Sequence, residues 1–333
     1  MPRRKKNKVS LKSLIALLAI VATAFAAIFA LASCEIVIED DLLAAILGEL
    51  SSGLDGEDSS GLDGEDSSGL DGEIPVAAGN LNVHIIDVGQ ADCILLMTEN
   101  ANMLIDTGDL DDDYTAKILN YLKAQGVSEL EYLVLTHPDA DHIGGAPEVI
   151  REFKVKNCII PDCVKNTKIY ENTITALEEE EVNVIEGKTG YTFEFADTLC
   201  NVLAPVEKTN EANNASVVIK LTHGENTFLF TGDAEKESEE LMLDKYSASD
   251  LDCDFLKSGH HGSSSSSTQP FLDAVTPTYA VMSCGEGNKY GHPHTETIEK
   301  YEAMGIEYYR TDLHGTVVVI SDGNTITITP EKK

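Results

Sequence analysis

The sequence is short of positive charge. Its 333 residues hold 24 Lys and Arg against 57 Asp and Glu, a formal net charge of −33. Six of those bases lie in the opening "MPRRKKNKVSLK", so residues 34–333 carry 18 bases beside all 57 acids. Such a balance keeps a domain soluble and works against long-range attraction of polyanions. None of the seven cysteines has zinc-finger spacing, which excludes a structural zinc module of that kind. One uncharged apolar run, residues 14–32, stands where a channel would need many. What is there is a hydrophobic fraction of 42%, ample for a core. The length suggests one large domain or two small ones.

The basic opening, the apolar run and the small residues of "LASC" make up a secretory signal over residues 1–33. The run is also long enough to serve as an uncleaved membrane anchor. Leu31-Ala32-Ser33-Cys34 resembles the bacterial lipobox, which favours lipidation of Cys34. Two acyl chains there anchor stably where one would not. Either way the remainder is expected outside the cytoplasm, on the outer face of a bacterial membrane. Residues 34–78 carry 13 acids and almost three copies of "SSGLDGED". They read as a flexible, self-repelling tether. Their Asp-Gly pairs do not match the spacing of a calcium loop.

Residues 79–333 form the expected folded domain, with 44 acids against 18 bases. Its cysteines (Cys93, Cys158, Cys163, Cys200, Cys253 and Cys284) sit mostly in apolar runs and read as buried thiols. Cys158 and Cys163, flanking "IIPD", are the nearest candidates for a local disulfide. Short apolar runs broken by Gly, Asn and Asp predict strands near 81–87, 93–98, 102–105, 182–185, 191–195, 198–204, 216–222 and 226–231. "YLVLT", "DCDFLK", "TYAVMS" and the runs near 306–309, 316–320 and 325–329 add further strands. Helices are predicted over 114–125, from "APEVIREF", over 168–181, 234–246 and 295–304, with a short one between "DCDFLK" and "TYAVMS". Two sheet-rich halves with interspersed helices imply an α/β layered sandwich.

The chemistry concentrates where apolar strands end. "THPDADHIGG" follows "YLVL" and packs His137, Asp139, Asp141 and His142 into six positions. Imidazoles and carboxylates in that mixture suit zinc, manganese or iron. A solvated acidic turn or a helix cap would leave five polar residues among the seven of 136–142 to accident. "FLFTGDAEKE" delivers Asp233 at a second strand end, although an Asp there also suits a helix cap. "FLKSGHHGSSSSST" delivers His260 and His261, and "NKYGHPHTET" delivers His292 and His294.

"HIIDVGQAD", "MLIDTGD", "LTHPDADHIGG", "NNASVVIKL", "FLFTGDAE", "FLKSGHHGS", "KYGHPH" and "YRTDLHGTVVV" occur in that order. Together they resemble the metallo-β-lactamase superfamily, and more narrowly the extracellular domain of ComEC-like competence proteins. The resemblance covers essentially all of 79–333. It implies an αββα four-layer sandwich with two divalent metal ions, Zn2+ or Mn2+, at one edge of the paired sheets. His137 and Asp139 would hold the first. Asp141, His142 and one of His260 and His261 would hold the second, with His261 the expected ligand and His260 facing substrate. Asp233 would bridge the two, and Asp106 would orient the site, with Asp87 nearby. Asp141, His260 and His292 are the expected catalytic groups, and Asn214, Ser216, Lys257 and Ser263 the expected substrate contacts. Lys220, Lys257 and Lys289 are the bases expected along a groove.

Two departures from the superfamily pattern stand out. Asp139 occupies the place of a second His, and "NNASVV" replaces a central lone His, so the first site is oxygen-richer than a three-His zinc site. That argues for manganese or a loosely held first metal, and against lactam hydrolysis. The resemblance implies cleavage of phosphodiester bonds by water activated at the metal pair. DNA is the leading substrate, and no protein partner is indicated. The alternatives are a phosphodiesterase acting on a small or wall-bound ester, of phosphocholine or teichoic-acid type, and a non-catalytic metal-binding surface module.

Overall fold

A computed structural model of the chain describes residues 77 and 79–333. The expected signal, Cys34 and the tether repeats lie outside the described residues. The described chain opens with three antiparallel strands, β1 (Leu81–Ile85), β2 (Ile94–Met97) and β3 (Asn102–Ile105). Helix α1 (Asp112–Ala124) follows. Asp111 caps it by accepting from the backbone N–H groups of Asp113 and Tyr114, and Ile118 and Leu122 form its buried stripe. Strand β4 (Glu129–Val134) then leads through the short helices α2 (Ala140–Ile143) and α3 (Ala146–Glu152) to β5 (Lys154–Ile160). Helix α4 (Lys168–Glu179) connects to β6 (Asn183–Glu186). Strands β3 to β6 pair in parallel.

The second half repeats this plan. Strands β7 (Thr192–Phe195), β8 (Thr198–Ala204), β9 (Val218–His223) and β10 (Asn226–Phe230) are antiparallel neighbours. Helices α5 (Lys236–Lys245) and α6 (Ala248–Leu251) lead to β11 (Phe255–Lys257). Then α7 (Gln269–Val275), β12 (Tyr279–Met282), α8 (Thr295–Met304) and β13 (Glu307–Arg310) continue in parallel with β10. After α9 (Thr311–His314), strands β14 (Val317–Ser321) and β15 (Ile326–Pro330) return to the first sheet beside β1. The sheets thus run β15-β14-β1-β2-β3-β4-β5-β6 and β13-β12-β11-β10-β9-β8-β7.

Alternation along the strands builds three layers of core. Val83, Ile85, Ile94 and Leu96 meet Val202, Phe228, Phe230 and Phe255 between the sheets. Leu95, Leu104 and Leu133, on the other face, pack under Ile118, Leu122, Val149 and Leu177 of the first set of helices. Leu203, Leu229 and Leu256 do the same under Met242, Phe271, Leu272 and Tyr301. This is the expected αββα sandwich. Two expectations are corrected. Residues 154–160, for which the sequence pattern predicts no strand, form β5 inside the first sheet. Cys158 and Cys163 are not joined, and all six described cysteines are free and buried.

A candidate metal centre

In both sheets the parallel strands end at the same edge, the place where open α/β sheets present polar groups. Beyond β3, Asp106 takes a left-handed conformation (φ 58°) that turns its carboxylate back into the fold. There it accepts from Thr136 N (2.8 Å), Thr136 Oγ1 (2.7 Å) and His142 Nδ1 (2.7 Å). Beyond β4, Thr136 and His137 cross the edge, and Asp139 starts α2 as its N-cap residue. This one-turn helix places Asp141 and His142 toward the strand ends. It fits because Gly144 has no side chain: a Cβ there would lie 2.1 Å from the Asp109 carbonyl carbon. Beyond β10, Gly232 (φ +51°) makes the turn that aims Asp233 at the same point. Beyond β11, His260 and His261 both adopt left-handed backbone (φ 47° and 55°). Strain of this kind, held by a rigid surround, gathers at working sites.

The side chains converge. One donor atom from each of Asp141, His142, Asp233 and His261 lies within 4.8 Å of all the others. His142 Nε2 is 3.3 Å from Asp233 Oδ1. His261 Nε2 is 3.5 Å from Asp233 Oδ2 and 3.4 Å from Asp141 Oδ2. Ligands about 2.0–2.1 Å from a tetrahedral ion stand about 3.3–3.4 Å from one another. The Nε2 atoms of His137, His142 and His261, and Asp233 Oδ1, are buried with no hydrogen-bond partner. Orphaned atoms of this kind are expensive unless something satisfies them. The donor set therefore fits a divalent metal ion.

The opposite edges of the rings are fixed. His142 Nδ1 donates to Asp106, and His261 Nδ1 donates to the Ser283 carbonyl (2.9 Å). Each imidazole is thereby held with its Nε2 lone pair facing the centre. Burial disfavours both imidazolium forms, yet the surrounding carboxylates prevail. Asp233 and Asp106 hold His142 well above its ordinary value, and Asp233, Asp92 and Asp141 push His261 up to about 10. Asp233, though buried, is held well below the usual carboxylate range by His261 and His142. Burial, with His142 beside it, takes His137 down to about 3. Without a cation, protons on His142 and His261 balance the acids; a dication takes their place and releases them.

The expected residues divide. His261 is inside the cluster, whereas His260 faces the open side with Nδ1 3.0 Å from Glu235 Oε1 and 3.1 Å from Ser265 Oγ. His137 stands beside the cluster, Nε2 4.0 Å from Asp233 Oδ2, and offers a second position that shares Asp233. Asp139 does not join it, because its carboxylate is ion-paired with Lys165. His292 lines the rim, its ring 5.4 Å from that of His260. Gly285 N–H donates to Gln90 Oε1, so the Gln90 amide nitrogen points at His292 Nδ1 (3.2 Å). His292 therefore carries its proton on Nε2. Burial and the neighbouring His260, His261 and His294 lower it to about 4, which makes it a neutral donor.

Several expectations fail on geometry. Lys257 is fully buried, 2.8 Å from Asp92 Oδ2, and cannot meet a substrate. Lys220 is buried with Nζ on the Asp250 carbonyl. Asn214 accepts from Glu235 N and Ser238 N and so fastens the start of α5. Ser216 Oγ accepts from Asp233 N (3.0 Å) behind the centre. Ser263 is buried and bonds to Ser265 Oγ (2.9 Å). Asp87 sits away from the donors and pairs with Lys117 at 3.6 Å. The sequence reading missed Asp92, which backs His261 at 3.4 Å, and Glu235, which backs His260. A charge set among the apolar residues of "ADCILLM" was the available signal for Asp92.

A two-sheet sandwich with a carboxylate–imidazole centre at its parallel edge defines a metallohydrolase. The chain belongs to the metallo-beta-lactamase superfamily, whose model matches residues 86–286. It is 32% identical over 261 residues to ComE operon protein 3 of Bacillus subtilis (strain 168), covering 73% of this chain and 33% of that one. It is 36% identical over 236 residues to the competence protein ComA of Neisseria gonorrhoeae, covering 71% and 31%. The chain thus spans about a third of the length of these curated relatives. Among solved structures, the metallo-beta-lactamase fold protein YhfI from Bacillus subtilis matches with a TM-score of 0.47 and 11% identity, over 75% of this chain and 100% of that one.

Proposed function

We propose that this chain is a metal-dependent phosphodiesterase that cleaves DNA outside the cytoplasm, tethered to the membrane through acylated Cys34. The observation that carries the reading is the set of four buried, unpartnered donor atoms on His137, His142, Asp233 and His261, in a chain similar to competence proteins. Asp141, His142, Asp233 and His261 would hold one ion, and His137 with Asp233 would offer a second place, which Asp139 would complete if Lys165 released it. Such ions, zinc or manganese, supply Lewis acidity and neutralise charge developing on phosphoryl oxygens. The protein's own groups do the rest. Asp106 and the Ser283 carbonyl keep two imidazoles in one tautomer. His292 offers an Nε2–H to a phosphoryl oxygen, and Glu235 with Ser265 fixes His260 at the open side.

The acidity of residues 79–333 favours a second reading, a small or wall-bound phosphodiester that needs no cationic track. The deciding experiment strips the full chain of metal, reloads it with manganese or zinc, and supplies labelled single- and double-stranded DNA. Metal-dependent cleavage that falls at least a hundredfold in Asp141→Ala supports the nuclease. Hydrolysis of a glycerol or choline phosphodiester with both DNAs left intact moves the substrate to the small ester. A membrane-bound chain whose N-terminus, read by mass spectrometry, is not an acylated Cys34 overturns the lipid anchor.

A further inference from the structure

Five large apolar side chains remain exposed among the described residues, and Tyr290 is the aromatic one, with 53% of its surface open. It is exposed but not loose. Asn288 pins its loop with four hydrogen bonds, donating to the carbonyls of Gly285 (2.9 Å) and His292 (2.6 Å) and accepting from Tyr290 N and His292 N. The Tyr290 ring stacks on His292 at 5.6 Å and 24°. His292 in turn stacks over the metal-centre residue His261 at 6.3 Å and 27°. A flat π surface is thus presented at the solvent end of a stack that leads to the centre. Its packing gains the fold little, since about half of the ring faces water.

Beside it stands Lys289. Its ammonium lies 4.9 Å from the Tyr290 centroid, and it forms no ion pair with a carboxylate among the described residues. Most other bases of the domain are tied to acids or buried, as Lys117, Arg151, Lys154, Lys165, Lys188, Lys208 and Lys257 are. An aromatic face with an unpaired cation next to the hydrolytic centre matches a ligand that is flat and apolar at one end and anionic at the other. A cationic headgroup such as choline would find the face attractive but would meet the ammonium of Lys289. We propose that Tyr290 and Lys289 form a nucleotide subsite. A base of a single-stranded substrate stacks on Tyr290, displacing the ammonium, which turns to a backbone phosphate. This rests on the nuclease reading and adds to it a preference for unpaired bases, since a base inside a duplex has no free face.

The chain contains no tryptophan, so Tyr290→Trp installs a single fluorescent reporter at the platform. The metal-loaded full chain is titrated with a short, cleavage-resistant phosphorothioate oligothymidylate and with the same strand made abasic. Saturable quenching by the first strand and not by the second is expected. Tyr290→Ala should weaken binding of the thymidylate about tenfold, the scale of one base–aromatic stack, with little change for the abasic strand. Lys289→Ala should reduce the slope of log K against log salt by about 0.7. Unchanged Trp emission at saturation, or equal sensitivity of the abasic strand to Tyr290→Ala, overturns the subsite. If the wild-type chain still binds and cleaves DNA in that case, only the subsite is lost. A wild-type chain that neither binds nor cleaves any strand removes both.

Discussion

At the scale of single residues, the centre depends as much on groups behind the donors as on the donors. Asp106 uses one oxygen on the Thr136 backbone and the other on Thr136 Oγ1 and His142 Nδ1. An amide in its place has one acceptor, and its NH2 would confront the His142 N–H. The Asp106→Asn chain should therefore hold metal roughly 10–100-fold more weakly, the usual cost of losing such a support. Competition with a chromophoric chelator measures it, and an unchanged constant would remove Asp106 from the role. Glu239 makes a different kind of prediction. It is buried, and accepts from Ser267 N (2.6 Å) and Thr268 N (2.9 Å). Burial nevertheless outweighs these bonds and raises it to about 7. A carboxyl raised on folding binds its proton more tightly in the native state, so its contribution is full below about 4.5 and is lost as pH rises through 7. The difference is on the order of 3 kcal/mol at about 1.4 kcal/mol per pH unit. Urea unfolding at pH 5 and pH 8 should show that drop, and Glu239→Gln should flatten it whatever its effect on absolute stability.

At the scale of elements, the one-turn helix α2 is the piece the centre can least do without, and its fit is steric. A methyl group at Gly144 would overlap the backbone of Asp109 and Leu110. Gly144→Ala should therefore cost about 1–3 kcal/mol or more, as forced overpacking does, and displace Asp141 and His142. Loss of tight metal binding together with a lower midpoint in thermal unfolding is the expected pair of observations. The strand-end clusters were legible in the sequence because each follows an apolar run that can only be a buried strand. Apolar runs ending in "THPDADH", "TGD" and "SGHH" mark each cluster as a strand end, while the meeting of their donors at one sheet edge is what the family resemblance implies. Strand β5 was not legible, because "KVKNCII" begins with exposed lysines alternating with one buried valine and offers no turn signal at its start. Lys257 was misread for a related reason. Lysine is almost always exposed, and only the fold brings Asp92, far away in sequence, to neutralise it at 2.8 Å. The choice between His260 and His261 also needed the fold, since two left-handed residues in succession send neighbouring rings in different directions.

At the scale of the whole molecule, a net charge of −33 sets a condition on the proposed nuclease reading, since a DNA strand is a polyanion. Its described bases are largely spent on internal pairs, so no broad cationic surface is left for a strand to follow. On that reading the attraction is local and would come from ions held at the centre and from Lys289. Binding that releases few counterions has a shallow salt dependence: one or two phosphate contacts on a single strand give a slope of about −0.7 to −1.4. The full metal-loaded chain should show a slope in that range. Removing the ions with chelator should weaken strand binding at least tenfold, because the positive charge left beside Asp141 and Asp233 is then only that of the protons on His142 and His261. Asp233→Asn, which loses a shared ligand, should behave like the chelated chain. A slope steeper than about −3 that survives chelation would mean that the six bases of residues 1–12 grip the DNA. Repeating the measurement on a chain that begins at Cys34, which lacks those bases, separates a metal-centred grip from one made by residues 1–12.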